Sequence, residues 1–192
     1  TFLMPKYAGI DKTNGLPMWY KDILDESGNV IGTTMTSEYS EATEYLCDDP
    51  TPSLYGGFGT SFDFYNFDIS ASFTYSIGGL TYDSGYASYM SPPGGSVGSN
   101  FHKDVLKAWT PENKDSDIPR FVYNDQNINA SSDRFLVPGS YLNFQNAQIG
   151  YTIPSSVTSK IKVERMRVYV ACDNIWYWSY RQGLDPRSSF SG

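Results

Sequence analysis

Three side chains that carry ligand oxygens stand at alternate positions, Asn113, Asp115 and Asp117, which is the spacing with which a calcium-binding loop begins. Such a loop also needs glycine at its sixth position and glutamate at its twelfth, where this chain has Ile118 and Asn124. Because both requirements fail, the pattern indicates a solvated loop, and we expect no metal site in this chain.

Residues that could support acid–base or nucleophilic chemistry are few. His102 is the only histidine, and no serine-hydrolase motif accompanies it. The adjacent Asp48 and Asp49 are more typical of a turn than of an acid–base pair. Asn129-Ala130-Ser131 fits a glycosylation pattern that is common by chance. We therefore expect no catalytic residue, no cofactor and no enzymatic activity.

A group of aromatic side chains in one long connecting segment could make contacts instead. Aromatic surfaces stack on sugars and anchor protein interfaces. We expect these residues either to touch a partner protein or substrate, or to pack the small core of their own segment. They are Tyr82, Tyr86, Tyr89, Phe101 and Trp109.

Charge and composition narrow the function classes further. The net charge of the 192 residues is −7 without any run of lysine or arginine, whereas nucleic-acid binding needs clustered cations. Aromatic residues make up 16% of the chain and charged residues only 18%, as is typical of a β-rich protein with many turns. Cys47 and Cys172 lie far apart in sequence and either form a bridge or remain two free thiols.

The most regular segment of the chain is Phe67–Ile77. Every odd position is apolar or aromatic, and every even position is Asp, Ser or Thr. Because strand side chains alternate between two faces, the segment predicts a strand with one apolar and one polar face. Its length matches the about 9–11 residues of a strand tilted across a bilayer. The alternation therefore favours an outer-membrane barrel strand, apolar toward lipid and polar toward the lumen.

Residues 55–65 repeat this pattern before a tight turn at Asn66, which predicts a hairpin with matching faces. The predicted lipid-facing residues are Phe58, Phe62, Phe64, Phe67, Ile69, Phe73, Ile77, Val168 and Val170. The predicted lumen-facing residues are Asp68, Ser70, Ser72 and Thr74.

Two further strands are predicted nearer the C-terminus. In residues 141–152 the apolar positions change phase near Gln145, so the two faces would exchange there unless a β-bulge takes up one residue. Residues 164–178 alternate again and end on Trp176 and Trp178, where an interfacial aromatic girdle would lie.

The connections between these strands alternate between short and long. Short turns are predicted at Asn66 and at 154–162, and long connections at 11–53, at 79–134 and after 179. Outer-membrane barrels have this order because their periplasmic turns are short and their external loops long. The order predicts five membrane strands, the first of them before Gly9.

One short helix is expected in the long connection, near residues 100–109. Ser99 or Asn100 would cap it, and Pro111 would stop it because the residue before proline avoids helical angles. Its apolar positions repeat at i, i+4 and i+8, at Phe101, Val105 and Trp109.

Several ordered blocks of sequence resemble the SusC/RagA-type TonB-dependent outer-membrane transporters. They follow one another over nearly the whole chain and match only the C-terminal part of such transporters. The blocks are Tyr55-Gly56-Gly57-Phe58-Gly59-Thr60-Ser61, Asn66-Phe67-Asp68-Ile69-Ser70, Ala108-Trp109-Thr110-Pro111-Glu112-Asn113, Ser116-Asp117-Ile118-Pro119-Arg120, Ser132-Asp133-Arg134-Phe135-Leu136, Ser140-Tyr141-Leu142, Gln148-Ile149-Gly150-Tyr151-Thr152-Ile153-Pro154, Arg167-Val168-Tyr169-Val170, Asp173-Asn174-Ile175-Trp176 and Gly183-Leu184-Asp185-Pro186.

The resemblance implies an all-β fold, an antiparallel transmembrane barrel of about 22 strands closed by an internal plug. It implies import of oligosaccharides or peptides across the Gram-negative outer membrane, driven through TonB, with a SusD-like surface lipoprotein as partner. Residues 1–192 would then be the C-terminal part of the barrel domain. The plug, the N-terminal barrel strands and the final strand would lie outside the chain.

Two other functions remain possible from the residues alone. A soluble or surface glycan-binding β-sandwich would use the loop aromatics as its binding platform. A secreted glycosidase would need a pair of carboxylates at a defined separation, and the sequence offers no such pair.

Overall fold

Strands dominate the computed structural model, which describes residues 1–91, 98, 100–125, 127–181 and 183–188. The strands are β1 (Leu3–Pro5), β2 (Tyr7–Ile10), β3 (Pro17–Leu24), β4 (Val30–Thr36), β5 (Glu44–Leu46), β6 (Leu54–Phe64), β7 (Phe67–Ile77), β8 (Leu80–Tyr82), β9 (Leu136–Pro138), β10 (Tyr141–Ile153) and β11 (Met166–Ser179). The α-helices are α1 (Ser84–Tyr89) and α2 (Ser155–Thr158). Short 3₁₀ helices span Tyr39–Glu41, Lys103–Lys107, Asp133–Phe135, Ser159–Ile161 and Pro186–Ser188.

The chain divides into two units, each built from two separate stretches of sequence. The first unit comprises Thr1–Pro50 and Thr81–Val137, and the second comprises Thr51–Leu80 and Pro138–Gly192. Within the described residues, no helix is both long enough and apolar enough to cross a membrane.

The second unit is a sheet of four long antiparallel strands in the order β11-β10-β7-β6. β6 pairs with β7 in the predicted hairpin, β7 pairs with β10, and β10 pairs with β11. The β6–β7 hairpin turns at Tyr65 and Asn66, and Tyr65 itself takes the left-handed conformation with φ of +52°. The strand predicted to end at Tyr65 therefore ends one residue earlier.

A β-bulge absorbs the change of phase in β10, as the sequence predicts. Against β7 the register shifts at Gln145, which is an extra residue of β10 there. Against β11 the extra residue lies in β11, between Asp173 and Trp176. Beyond the shift, Phe144 pairs with Phe73 on one side and with Trp176 on the other. Asn174 of β11 adopts a left-handed φ of +51° in the same irregular stretch. The bulge keeps the apolar residues of the sheet on one face.

The first unit is built from short strands around a small core. Strands β2, β3 and β4 form one sheet, β1 pairs with β5, and β8 pairs with β9. The β3–β4 hairpin turns at residues 25–29, where Asp25 accepts hydrogen bonds from the Ser27 and Asn29 amides and Gly28 supplies a φ of +84°. Trp19 and Phe135 are among the largest fully buried side chains, which places the core between β3 and the segment before β9.

The expected membrane strand before Gly9 is wrong. β1 has three residues and pairs with β5, and β2 has four residues and pairs with β3. Both are far shorter than the about 9 residues that a membrane-crossing strand needs. Four strands rather than five therefore form the long sheet.

The expected helix near residues 100–109 is shorter than predicted and of a different type. It is the 3₁₀ helix Lys103–Lys107, and its cap is His102, whose Nδ1 accepts a hydrogen bond from the Asp104 amide at 3.2 Å. Asn100 is not the cap, and Ser99 lies outside the described residues. Ala108 is already extended, so the i, i+4, i+8 spacing does not mark one helical face.

The same connection contains a helix that the sequence reasoning missed. α1 begins after Asp83, whose carboxylate accepts a hydrogen bond from the Tyr86 amide at 2.9 Å. Aspartate is a favoured residue at this capping position. The missed signal is therefore this aspartate, which stands directly before Ser84.

Candidate functional site

The four-stranded sheet separates apolar and polar side chains onto two faces. The register places Phe58 opposite Phe73, Phe62 opposite Ile69 and Phe64 opposite Phe67. The pairing continues across β10 to β11, where Val168 and Val170 join the same face. The residues of the apolar face are thus the predicted Phe58, Phe62, Phe64, Phe67, Ile69, Phe73, Ile77, Val168 and Val170, together with Leu54, Tyr75, Leu142, Phe144, Ile149, Tyr151, Met166, Trp176 and Trp178.

This apolar face is open to its surroundings rather than packed against a second layer. Phe62 is 60% exposed, Val170 is 63% exposed and Ile69 is 46% exposed. Monomeric soluble proteins rarely expose contiguous apolar patches larger than a few hundred Å². The face therefore requires an apolar environment or partner.

Aromatic side chains form a row at each end of the apolar face. Near the loop end, the Phe58 and Phe73 rings stack at 5.0 Å and the Phe73 and Phe144 rings stack at 4.5 Å, with Trp176 next in the row. Near the turn end, the row starts at Phe67, whose ring lies 4.7 Å from that of Tyr151. Phe62, Ile69, Ile149 and Val170 lie between the two rows.

The opposite face of the sheet is polar. Asp68, Ser70, Ser72 and Thr74 alternate with the apolar residues of β7, as predicted. Asn143 is buried on this face and donates a hydrogen bond from Nδ2 to the Thr74 hydroxyl at 3.4 Å.

An ion pair crosses the middle strand of the polar face. The guanidinium of Arg167 in β11 donates two hydrogen bonds to the carboxylate of Asp68 in β7, from Nε at 2.9 Å and from Nη2 to the second oxygen. Gly150 lies between them, and a Cβ atom there would approach both Asp68 oxygens to 2.6 Å. A side chain at position 150 would therefore displace the two charged groups from their place over β10.

A second arginine–carboxylate pair lies beyond β11. Arg187 donates from Nε to Asp185 Oδ1 at 2.8 Å, and its guanidinium lies 5.6 Å from the centre of the Tyr177 ring. These hydrogen bonds hold the pKa of Asp185 below its usual range. The segment that follows β11 thus folds back over Tyr177.

Three of the five predicted contact aromatics pack within the first unit. The rings of Tyr82 and Tyr86 lie edge-on to Phe135 at 6.0 and 6.2 Å. Trp109 covers Gly15 and donates from Nε1 to the Lys12 carbonyl at 3.3 Å. For these three residues, core packing accounts for the observed contacts.

The other two predicted contact aromatics are partly exposed. Tyr89 is 52% exposed, and Phe101 is 40% exposed with its ring edge-on to Phe121 at 5.1 Å. The Tyr89 carbonyl accepts a hydrogen bond from the His102 amide at 3.1 Å, which holds the two aromatics near each other. A contact with a partner stays a prediction for this pair.

His102 has structural contacts. Its ring lies edge-on to Tyr86 at 4.8 Å, and Nδ1 lies 3.3 Å from an Asp104 carboxylate oxygen. Within the described part of the chain, no three His, Cys, Asp or Glu side chains converge closely enough to hold a metal ion. Cys47 and Cys172 are both free thiols.

The first unit contains a buried cation, Arg134, that the sequence patterns did not predict. The guanidinium of Arg134 lies 5.1 Å from the centre of the Tyr7 ring and donates to the Ile128 carbonyl at 3.2 Å. Burial lowers the pKa of Arg134 and raises the pKa of Tyr7 to about 12. The Tyr7 hydroxyl makes no hydrogen bond to a described residue. The arrangement fits a cation stabilised by aromatic rings inside a core.

Comparison with known proteins finds two curated relatives that are both TonB-dependent receptors. The chain is 30% identical over 153 residues to TonB-dependent receptor P3 of Formosa agariphila, which covers 80% of the chain and 14% of that protein. It is 27% identical over 170 residues to TonB-dependent receptor P26 of the same organism, covering 88% of the chain and 16% of that protein. The chain thus spans about a sixth of these relatives or less. No family model matches it.

Solved structures agree with the sequence relatives. The chain superposes on a chain of the RagAB peptide importer in its closed-closed state with a TM-score of 0.76 and 29% identity. The open-open state gives a TM-score of 0.77 and 28% identity. Both matches cover 98% of this chain and 20% of the solved one.

Proposed function

We infer the function of this chain from the family to which it belongs, the SusC/RagA-type TonB-dependent transporters. Members of this family named among its relatives are receptors and importers rather than enzymes. The function proposed for the whole protein is TonB-dependent import of a nutrient across the Gram-negative outer membrane.

The second unit is proposed to be part of the wall of a transmembrane β-barrel. The observation that carries this proposal is the exposed apolar face, which the register assembles from all four strands. In this arrangement lipid covers the face with Phe62, Ile69 and Val170, and the aromatic rows lie at the two membrane interfaces. Residues 1–192 then form a C-terminal part of the barrel domain.

The polar face is proposed to line the lumen. Asp68, Ser70, Ser72 and Thr74 would face water or an internal plug, and the Asp68–Arg167 pair would tie three neighbouring strands together. The charge pair is thus assigned to holding the wall rather than to selecting the substrate.

The first unit is proposed to belong to the external part of the protein. Tyr89 and Phe101 are its candidates for contact with a partner, because their rings are partly exposed. The partners proposed are a SusD-like surface lipoprotein and, through another part of the protein, TonB. The solved relative is described as a peptide importer, which supports peptides as the substrate class, with oligosaccharides as the alternative.

The two other functions considered from the sequence receive less support. A β-sandwich needs a second sheet packed against the apolar face of the first. Phe58, Phe62 and Val170 are instead more than half exposed. The relatives are receptors and importers, which gives no support to a glycosidase.

Membrane fractionation of the native full-length protein tests the proposal. We expect the protein in the outer-membrane fraction, resistant to alkaline carbonate and high salt, and released only by detergent. A protein that stays in solution after the membranes are removed would contradict the proposed function.

A further inference from the structure

The turn between β10 and β11 exposes apolar side chains that a simple turn does not need. It runs through residues 154–165, here called the turn segment, and contains α2 and the 3₁₀ helix Ser159–Ile161. Thr158 is its buried anchor, at 1% exposure, and its carbonyl accepts a hydrogen bond from the Val163 amide at 3.1 Å. Val157 is 53% exposed and Ile161 is 62% exposed, so the apolar side chains point away from this anchor.

The turn segment is also basic, in a chain whose net charge is −7. Lys160, Lys162 and Arg165 are exposed, and Glu164 is the single acidic residue of the segment. Arg165 is attracted to the Asp68 carboxylate, whereas Lys160 and Lys162 have no carboxylate partner among the described residues. Cations without carboxylate partners beside exposed aliphatic side chains are the combination found at the surface of lipid bilayers.

The turn segment continues the apolar face of the sheet. Met166 follows it directly and pairs with Ile153 on that face, and Val168 lies opposite Tyr151. The aromatic row of Phe67 and Tyr151 therefore lies next to the segment, where the sheet would leave the hydrocarbon layer.

A groove opens beside the basic residues. Its volume is about 710 Å³, and its lining includes Asn66, Thr152, Glu164 and Arg165. The Arg165 guanidinium and the Asn66 amide, with the Glu164 carboxylate beside them, therefore face this groove at the level of the turn segment.

We propose that the turn segment binds the anionic headgroups of the membrane leaflet on the short-turn side of the sheet. Val157, Ile161 and Val163 enter the boundary between headgroups and acyl chains, while Lys160 and Lys162 contact lipid phosphates. The inference rests on the proposed function, because it requires the apolar face to lie in lipid.

Removal of the two lysines tests the inference in the full-length protein. The variant K160Q/K162Q is placed in nanodiscs of zwitterionic lipid, and binding of added phosphatidylglycerol is measured by native mass spectrometry. Each basic residue near an anionic surface contributes about 1 kcal/mol, which is about fivefold in affinity. We therefore expect roughly 30-fold weaker phosphatidylglycerol binding for the double variant.

The matched control is K103Q/K114Q, which removes the same charge from two exposed lysines of the first unit. We expect it to bind phosphatidylglycerol like the unmodified protein. A second variant, I161S, removes an exposed apolar side chain and is expected to increase hydrogen exchange in the turn segment in lipid.

Two outcomes would overturn the inference. One is unchanged phosphatidylglycerol binding by K160Q/K162Q. The other is loss of a co-purifying protein from that variant with lipid binding intact, which would assign the turn segment to a protein partner. Failure of the unmodified protein to insert into any nanodisc would instead contradict the proposed function, so the two failures are distinguishable.

Discussion

An arginine moved along the apolar face of β7 should report the depth of each position in the membrane. The positions are Phe67, Ile69, Ala71 and Phe73, which share this face with their partners on β6 and β10. The free energy required to place arginine on a lipid-facing position of a barrel is greatest at the bilayer midplane and small near the interfaces. The destabilisation caused by arginine should therefore peak at one position rather than be uniform along the strand.

The expected profile follows from the spacing of the aromatic rows. The ring of Tyr75 lies 6.3 Å from that of Phe58 and forms the outer edge of the loop-end row on β7. Eight residues separate Phe67 from Tyr75, which is about 26 Å along a strand at about 3.3 Å per residue. A strand tilt of about 40° reduces this to about 20 Å along the membrane normal. Ala71 lies halfway, so arginine there should destabilise the protein by about 2–4 kcal/mol, against about 0–1 kcal/mol at Phe67. Ile69 and Phe73 should give intermediate values.

The assay is denaturant unfolding of the full-length protein in phospholipid vesicles, followed by tryptophan fluorescence. At each position the arginine variant is compared with the alanine variant, so that loss of the native side chain cancels. Ser70→Arg and Ser72→Arg are the controls, because both residues lie on the polar face. We expect these controls to change the unfolding free energy much less than Ala71→Arg.

A flat profile along the apolar face would refute the reasoning. Equal destabilisation by arginine on the apolar and polar faces would refute it as well, since a two-sided soluble sheet gives that result. A peak displaced to Phe67 would show that the turn end lies deeper than the aromatic rows indicate.

The remaining predictions concern single groups. Gly150→Ala should weaken assembly of the full-length protein because the added Cβ separates the ion pair that crosses β10. A double-mutant cycle measures this coupling, and the effect should be much smaller when Arg167→Met is already present. Gly15→Ala, at φ of +75° and with its Cβ 2.5 Å from an indole ring, should destabilise the first unit by more than the about 1–3 kcal/mol of left-handed strain alone. Gly28→Ala, at φ of +84° with no atom within 4 Å of its Cβ, is the control in local hydrogen exchange. Burial raises the pKa of Tyr7 from 10.0 to about 12. The folded state therefore keeps the hydroxyl protonated at a pH where the unfolded chain ionises it. The contribution of Tyr7 to the free energy of unfolding is complete below pH 10 and is lost as the pH rises toward 12. Tyr7→Phe should remove this loss in alkaline unfolding and, by removing a buried hydroxyl without a partner, should raise stability by about 1 kcal/mol.

The strands of the second unit could be predicted because each pattern depends on nearby residues. Alternation in Phe67–Ile77 follows from the different surroundings of the two faces, and the turn at Asn66 fixes the partner strand. The phase change at Gln145 even predicted the β-bulge, because a slip of one residue would otherwise turn apolar side chains to the polar face.

The contacts of the polar face could not be predicted in the same way. Asp68 and Arg167 are 99 residues apart, and their meeting depends on the register of three strands. Gly150 is one of 17 glycines, and nothing in its local sequence marks it as the one that must accommodate an ion pair.

The short irregular elements of the first unit also could not be predicted from local sequence patterns. Phe101 and Trp109 have helical spacing, but the segment between them is a 3₁₀ helix of five residues and each ring packs on a different neighbour. The conformation of this segment depends on long-range contacts. The i, i+4 spacing of its apolar residues therefore could not show that their rings pack on different neighbours.

Accessibility of spin labels along β7 tests the central claim most directly. The labels are introduced one at a time at residues 69–73 of the full-length protein in vesicles, after Cys47 and Cys172 are replaced by serine. If the sheet is a membrane wall, labels at the odd positions should be accessible to oxygen and protected from a water-soluble nickel chelate, with the reverse preference at the even positions. Equal access of the nickel chelate to odd and even positions would contradict the account.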